Sequence, residues 1–256
     1  MIYFVGAGSG DVDLITVKGK KLLEQADLII YAGSLVNPAL LQYAKKECVI
    51  MDSAKMTLEE VIEAMVPAAQ AGKLVVRLHT GDPSVYGAHR EQMDKLNEHG
   101  LEYEVVPGVS SFCAAAAALK AEYTLPNVSQ SVIITRMEGR TPVPDKQKIA
   151  DYAAHHATMV IFLSSGMLER LSKELISGGY SADTPAAIVY KASWPDQKVC
   201  RCTVATLAET ADRENIHNLA LICVGDFLGN EYERSELYNP TFTTAFRQAS
   251  ATKEDK

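Results

Sequence analysis

The chain has 256 residues, 47% of them hydrophobic and 22% charged, with a formal net charge of −7. That length fits one or two α/β domains, each large enough to bury its own core, and the composition excludes a disordered or fibrous chain. The acidic balance argues against nucleic acid and anionic membrane surfaces as partners, because both select a basic face.

From the amino terminus, the first six residues carry no basic segment and too short an apolar stretch for a signal peptide. Nothing approaches the roughly 20 apolar residues of a membrane span. β-rich runs at residues 2–5, 28–31, 49–51, 74–78 and 103–106 alternate with helical periodicity, a βαβ series that predicts a largely parallel sheet. Leu58, Val61, Ile62, Met65 and Val66 repeat at helical spacing behind Thr57, and Glu60 completes a capping box. Gly72 is the expected stop, while Pro67 inside the helix predicts a kink.

After Pro126, runs at 131–135, 158–163, 186–191, 199–203 and 219–224 predict a second sheet. The expected fold class is α/β, with two α/β domains over residues 1–112 and 113–240, each on a mostly five-stranded sheet, and a tail at 241–256. The join falls in or beside a predicted helix at 111–119, and the polar run 247–256 is expected to fray. The five cysteines (Cys48, Cys113, Cys200, Cys202 and Cys223) are odd in number and form no CxxC pair. Neither a disulfide framework nor a zinc site is expected, which favours a cytoplasmic protein without a bound metal. Cys200 and Cys202 read as two small apolar side chains on one face of a strand.

Three glycine-bearing turns follow strands of the first half. Gly6-Ala7-Gly8-Ser9-Gly10-Asp11 invites a dinucleotide reading, but Asp11 stands where a third glycine is needed, and the second strand ends Ile29-Ile30-Tyr31-Ala32 with no acid for a ribose. Taken alone, it is a tight strand-to-helix turn. Thr80-Gly81-Asp82-Pro83-Ser84-Val85-Tyr86-Gly87 lies where parallel sheets bind ligands, with Asp82 able to accept from a ribose hydroxyl or an amine. A turn punctuated by Gly and Pro, with Asp82 as a cap, is the plainer account of that loop by itself. Val106-Pro107-Gly108-Val109-Ser110-Ser111 leads into five alanines, 114–118, which suit close approach of a flat ligand and ordinary helix packing alike.

In this order and spacing, these three turns, with Asp13-Leu14-Ile15-Thr16 after the first, resemble the tetrapyrrole methylases over residues 2 to about 226. The segments 135–144 (Thr-Arg-Met-Glu-Gly-Arg-Thr-Pro-Val-Pro) and 190–196 (Tyr-Lys-Ala-Ser-Trp-Pro-Asp) are similar to family members that methylate C11 of precorrin-4 or cobalt-precorrin-4. The resemblance implies methyl transfer from S-adenosylmethionine (SAM), leaving S-adenosylhomocysteine (SAH), on the way to cobalamin. It further implies a homodimer of two-domain subunits, with SAM in a cleft between the domains and the tetrapyrrole over the amino-terminal crevice. The implied SAM contacts are Thr80, Gly81, Asp82, Val85, Tyr86, Ser110, Ser111, Leu163, Ala192, Ala220 and Leu221. In relatives the first turn usually reads Gly-x-Gly-Pro-Gly-Asp; Ser9 replaces the proline, loosening the turn and adding a hydroxyl at the floor of the cofactor crevice. A position often acidic in relatives is Gly33 here, so no general base carries over and the catalytic group is unassigned.

Methyl transfer from a sulfonium chiefly requires nucleophile, methyl and sulfur to be held in line. Val85, Leu163 and Leu221 are expected to cover adenosine and the methyl path. A tetrapyrrole polyacid needs local cations in an acidic protein, and Arg136, Arg140 and Lys191 are the candidates, with Glu138 and Thr141 in the same substrate segment. A solvated surface network is the plainer reading of Arg136, Glu138 and Arg140 without the resemblance. Trp194 either stacks on the macrocycle or caps the core beside Pro195. His79 could accept a proton, although a hydrogen-bonded strand-end histidine is the simpler expectation. The competing functions are a sibling methylase acting on another ring carbon, a nicotinamide oxidoreductase, and a non-enzymatic tetrapyrrole-binding module.

Overall fold

The computed structural model describes residues 1–33 and 35–250; the end of the expected tail, 251–256, lies outside the described residues. Two compact units form, one of Met1–Ala118 with Lys191–Lys198, the other of Leu119–Tyr190 with Val199–Lys256.

In the first unit, β1 (Ile2–Gly6), α1 (Val17–Gln25), β2 (Leu28–Tyr31), β3 (Val49–Asp52), α2 (Leu58–Gln70), β4 (Val75–His79), α3 (Arg90–Glu98), β5 (Tyr103–Val106) and α4 (Ser111–Leu119) follow in order. The five strands pair in parallel in the order β3-β2-β4-β1-β5. Because side chains alternate along a strand, the sheet has two apolar faces. Val5, Val76 and Leu78 pack on Leu22 and Leu23 of α1; Ile2, Phe4 and Val75 pack on Val61, Met65 and Leu96 of α2 and α3.

The capping box predicted for α2 is present, with the Thr57 hydroxyl accepting from Glu60 N at 3.3 Å and the Glu60 carboxylate accepting from Thr57 N at 2.7 Å. The helix continues through Pro67 to Gln70 rather than breaking. Pro67 and Glu63 both face solvent, so the carbonyl deprived of its amide partner is open to water. Gly72, at φ +78°, ends the run as expected.

In the second unit, β6 (Val132–Arg136), α5 (Ile149–Ala153), β7 (Thr158–Phe162), α6 (Leu168–Ser177), β8 (Pro185–Tyr190), β9 (Lys198–Thr203), α7 (Leu207–Glu214) and β10 (Ala220–Val224) form a sheet of order β6-β7-β10-β8-β9. It is mixed: β6 and β7 are parallel, while β10 runs antiparallel to both β7 and β8. Met159, Ile161, Ile188 and Ile222 bury one face under α5, α6 and α7. On the other face, the Tyr123 and Phe227 rings meet at 5.2 Å, and the Tyr123 hydroxyl lies 3.9 Å from Cys223 Sγ. Arg247, first residue of the run expected to fray, is tied by its guanidinium to the Asn239 carbonyl at 2.7 Å.

Candidate active site

The first sheet contains a topological switch. The chain leaves β1 for β2 in one direction and leaves the adjacent β4 for β5 in the other, and in open α/β sheets the ligand crevice lies outside the carboxyl ends of such a pair. Those ends carry the first two glycine turns, and the third follows β5 next door.

The three turns are knitted together by backbone. Gly8 and Gly81 exchange hydrogen bonds, Gly81 N to Gly8 O at 2.9 Å and Gly8 N to Gly81 O at 3.2 Å. Gly6, Gly81 and Gly108 approach so closely that a Cβ on Gly108 would stand 2.2 Å from Gly81 O and 2.8 Å from Gly6 Cα. Only glycine fits there. Asp82 braces the second turn to the third: one carboxylate oxygen accepts from Gly108 N at 2.8 Å, the other from Ser84 N at 2.9 Å and from the Ser84 hydroxyl. Desolvation pushes this carboxyl up, but the bonds from Ser84 and Gly108 outweigh it and the net shift is downward, so Asp82 is charged near neutrality.

Around this brace the structure sets the expected positions as follows. Thr80 donates its hydroxyl to Leu35 O at 3.1 Å. Tyr86 is exposed and left-handed, at φ +56°. Val85 is half-buried beside it. Ser110, only 6% exposed, has a hydroxyl without a hydrogen-bond partner among the described residues, 3.9 Å from where a Cβ on Gly81 would be. Ser111 opens α4. Ser9 is buried; its hydroxyl pairs with that of Ser193 at 3.0 Å and its carbonyl accepts from the Trp194 indole at 3.2 Å. Ala192 is buried, and Lys191 pairs with Asp196 at 2.6 Å while lying 5.4 Å from the Trp194 ring.

His79 ends β4 beneath the second turn and is 3% exposed, with Nε2 lacking a partner among the described residues. Burial, then the nearby charges of Arg77 and His89, push its pKa down to about 3 against a backbone bond with Gly87. It is therefore an enclosed strand-end histidine that burial keeps in the neutral form. Arg77, also buried, donates to Gln92 at 3.0 Å and to Ile30 O at 3.1 Å.

In the second unit, Arg136 folds back on its own loop, donating to the carbonyls of Met137, Thr141 and Pro142 at 3.1, 3.2 and 2.7 Å. The Glu138 carbonyl accepts from Arg170. Arg140, Glu138 and Thr141 are exposed, and no side-chain partner holds Arg140 among the described residues. Leu163, just past β7, is 61% exposed and left-handed at φ +53°, a strained setting for an apolar side chain. Ala220 faces the helix-covered core, so its neighbour Leu221 points to the opposite face of β10.

With this geometry established, the family model for tetrapyrrole (corrin/porphyrin) methylases matches residues 1–208. The chain belongs to the tetrapyrrole methylases. A family relative named cobalt-precorrin-4 C(11)-methyltransferase, from Methanocaldococcus jannaschii, is 55% identical over 249 residues, 97% of this chain and 96% of its own. The X-ray structure of a cobalamin biosynthetic enzyme, cobalt precorrin-4 methyltransferase, matches with a TM-score of 0.88 at 48% identity, covering 90% of this chain and 96% of that one. Uroporphyrin-III C-methyl transferase from Thermus thermophilus, complexed with S-adenyl homocysteine, matches with a TM-score of 0.72 at 27% identity, covering 91% and 95%. The expected fold, two five-stranded α/β sheets, is borne out.

The glycine turns of this methylase suit a nucleoside sulfonium. Backbone stripped of side chains at Gly81 lets a ligand approach, and the Ser110 hydroxyl beside it is a donor and acceptor that a ligand could engage. Sequence reasoning missed Asn37, whose amide donates to Gly10 O at 2.7 Å; Ser164, whose hydroxyl accepts from Met137 N at 2.9 Å; and Ser193. All three act through long-range contacts that leave no local pattern.

Proposed function

We propose that the chain is a SAM-dependent methyltransferase acting on C11 of precorrin-4 or cobalt-precorrin-4 in cobalamin biosynthesis. The observation that carries this reading is the near full-length 55% identity with a C(11)-methyltransferase; the braced cradle, with the Ser110 hydroxyl beside Gly81, supports it. SAM supplies the transferred methyl and departs as SAH. The protein's task is alignment and exclusion of water, which can lower a barrier by roughly 7–11 kcal/mol in well-oriented systems. Asp82 fixes the second and third turns, the Gly81 backbone and Ser110 contact the nucleoside, and Val85 and Tyr86 cover it. On the strength of the family resemblance, Thr80, Ser111, Ala192, Leu163, Ala220 and Leu221 are proposed as further SAM positions, with Ser9, where relatives carry proline, added for its place in the first turn, and Arg136, Glu138, Arg140, Thr141, Lys191 and Trp194 are proposed as tetrapyrrole positions. Arg140 is the strongest of these, because its guanidinium is exposed and has no protein partner among the described residues. A homodimer working in the cytoplasm belongs to the same reading, and light scattering tests the dimer.

Incubation with ¹³C-methyl SAM and either metal-free precorrin-4 or cobalt-precorrin-4 tests the proposal. The expected product carries one added methyl, with the labelled signal at C11 and SAH released in equal amount. Label at another ring carbon would make the chain a sibling methylase; SAM unconsumed with both substrates would overturn the reading.

A further inference from the structure

Residues 191–198 lie between β8 and β9 of the second sheet, yet they group with the first unit. Lys191 and Ser193 take left-handed backbone, at φ +45° and +69°, a conformation costly for side-chain-bearing residues and kept only where surrounding contacts enforce it. Those contacts are on hand. Ser193 N donates to the Gln197 side chain at 2.7 Å, Trp194 N to Lys191 O at 3.0 Å, and Lys191 pairs with Asp196 at 2.6 Å.

The folded segment then grips the first glycine turn at three points. The Ser193 hydroxyl meets that of Ser9 at 3.0 Å and accepts from Asp11 N at 3.1 Å, while the Trp194 indole donates to Ser9 O at 3.2 Å. Trp194 lies so near Gly10 that a Cβ there would stand 2.0 Å from the ring. Asn37 holds the Gly10 carbonyl at 2.7 Å, and the turn passes its position on through the paired bonds between Gly8 and Gly81.

We propose that Ser193 and Trp194 are positioning residues: they clasp the first glycine turn and thereby hold Gly81 in the form that binds SAM. This assignment rests on the cradle being the SAM site. A loosened clasp lowers the fraction of molecules with a competent cradle, so apparent affinity falls by that fraction while the bound complex reacts as before. The KM for SAM and the Kd for SAH therefore rise and kcat holds. A residue serving stability alone would lower Tm and leave both constants where they were.

The test is calorimetric titration of the full chain with SAH for wild type, Ser193→Ala and Trp194→Phe, together with steady-state kinetics for wild type and Ser193→Ala. Losing one or two of these hydrogen bonds should raise the Kd for SAH roughly five- to tenfold in both variants, and in Ser193→Ala the KM for SAM should rise with it while kcat stays within about twofold. Trp194 is the only tryptophan, so wild-type fluorescence should also change on SAH addition. Ser193→Ala, which deletes a single oxygen, carries the test should Trp194→Phe fail to fold. Normal SAH binding by wild type with both variants unchanged overturns the clasp alone. Absence of SAH heat with wild type overturns the SAM site and the clasp together.

Discussion

Replacing Asp82 with asparagine tests whether the cradle is held by its brace. The carboxylate takes the Gly108 amide on one oxygen and the Ser84 amide and hydroxyl on the other. In the Asp82→Asn variant one of these oxygens becomes an NH₂ donor. Turned toward Gly108, that group faces an N–H with an N–H; turned the other way it abandons the Ser84 amide, although the Ser84 hydroxyl can rotate to accept. The second arrangement costs less and still forfeits a charge-assisted bond and the charge behind its partners, about 1.5–3 kcal/mol. Denaturant unfolding should therefore show the midpoint falling at unchanged slope, and SAH affinity should drop with it because the third turn is no longer fixed. The two proteins should also differ in acid. The folded carboxyl titrates below its usual value, so its contribution is complete above about pH 4 and disappears as pH falls further; the uncharged amide of the variant has nothing there to lose. Weakened SAH binding with stability and acid behaviour untouched would refute the brace and make Asp82 a simple ligand contact.

Gly108→Ala places a Cβ against Gly81 O and Gly6 Cα, both backbone; thermal melts should show a loss of about 1–3 kcal/mol or more, with SAH binding weakened in parallel. His79 titrates near 6.5 when unfolded and only at about 3 when folded. Stability is thus fully present above pH 6.5 and declines as pH falls, by up to about 1.4 kcal/mol per pH unit, and His79→Gln should flatten that slope in pH-dependent denaturation. Arg140→Ala should raise the KM for the tetrapyrrole roughly tenfold and leave SAH affinity alone, since its exposed guanidinium is free for a carboxylate. Thr57→Ala removes one half of the α2 capping box and should lower stability by about 1 kcal/mol without touching activity.

Much of the fold could be read from residue order. Buried parallel strands are apolar runs bounded by turn residues, which is why the predicted run 74–78 and the observed Val75–His79 nearly coincide. Thr57 and Glu60 announced α2 because a capping box is a local device. The path of the second sheet was less accessible: nothing in residues 219–224 says that β10 inserts antiparallel between β7 and β8, since pairing across long separations leaves no period. For the same reason Ser193 looked like any turn serine, although it grips a residue 184 positions away. Arg136 and Arg140 looked equivalent as sequence. In the fold one satisfies three carbonyls of its own loop and the other remains exposed.

The most direct measurement is a crystal structure of the full chain grown with SAH. The account predicts the nucleoside against the Gly81 backbone, within hydrogen-bond reach of the Ser110 hydroxyl, and the Asp82 carboxylate still holding Gly108. SAH bound at any other place, with Gly81 and Ser110 bare, would contradict it.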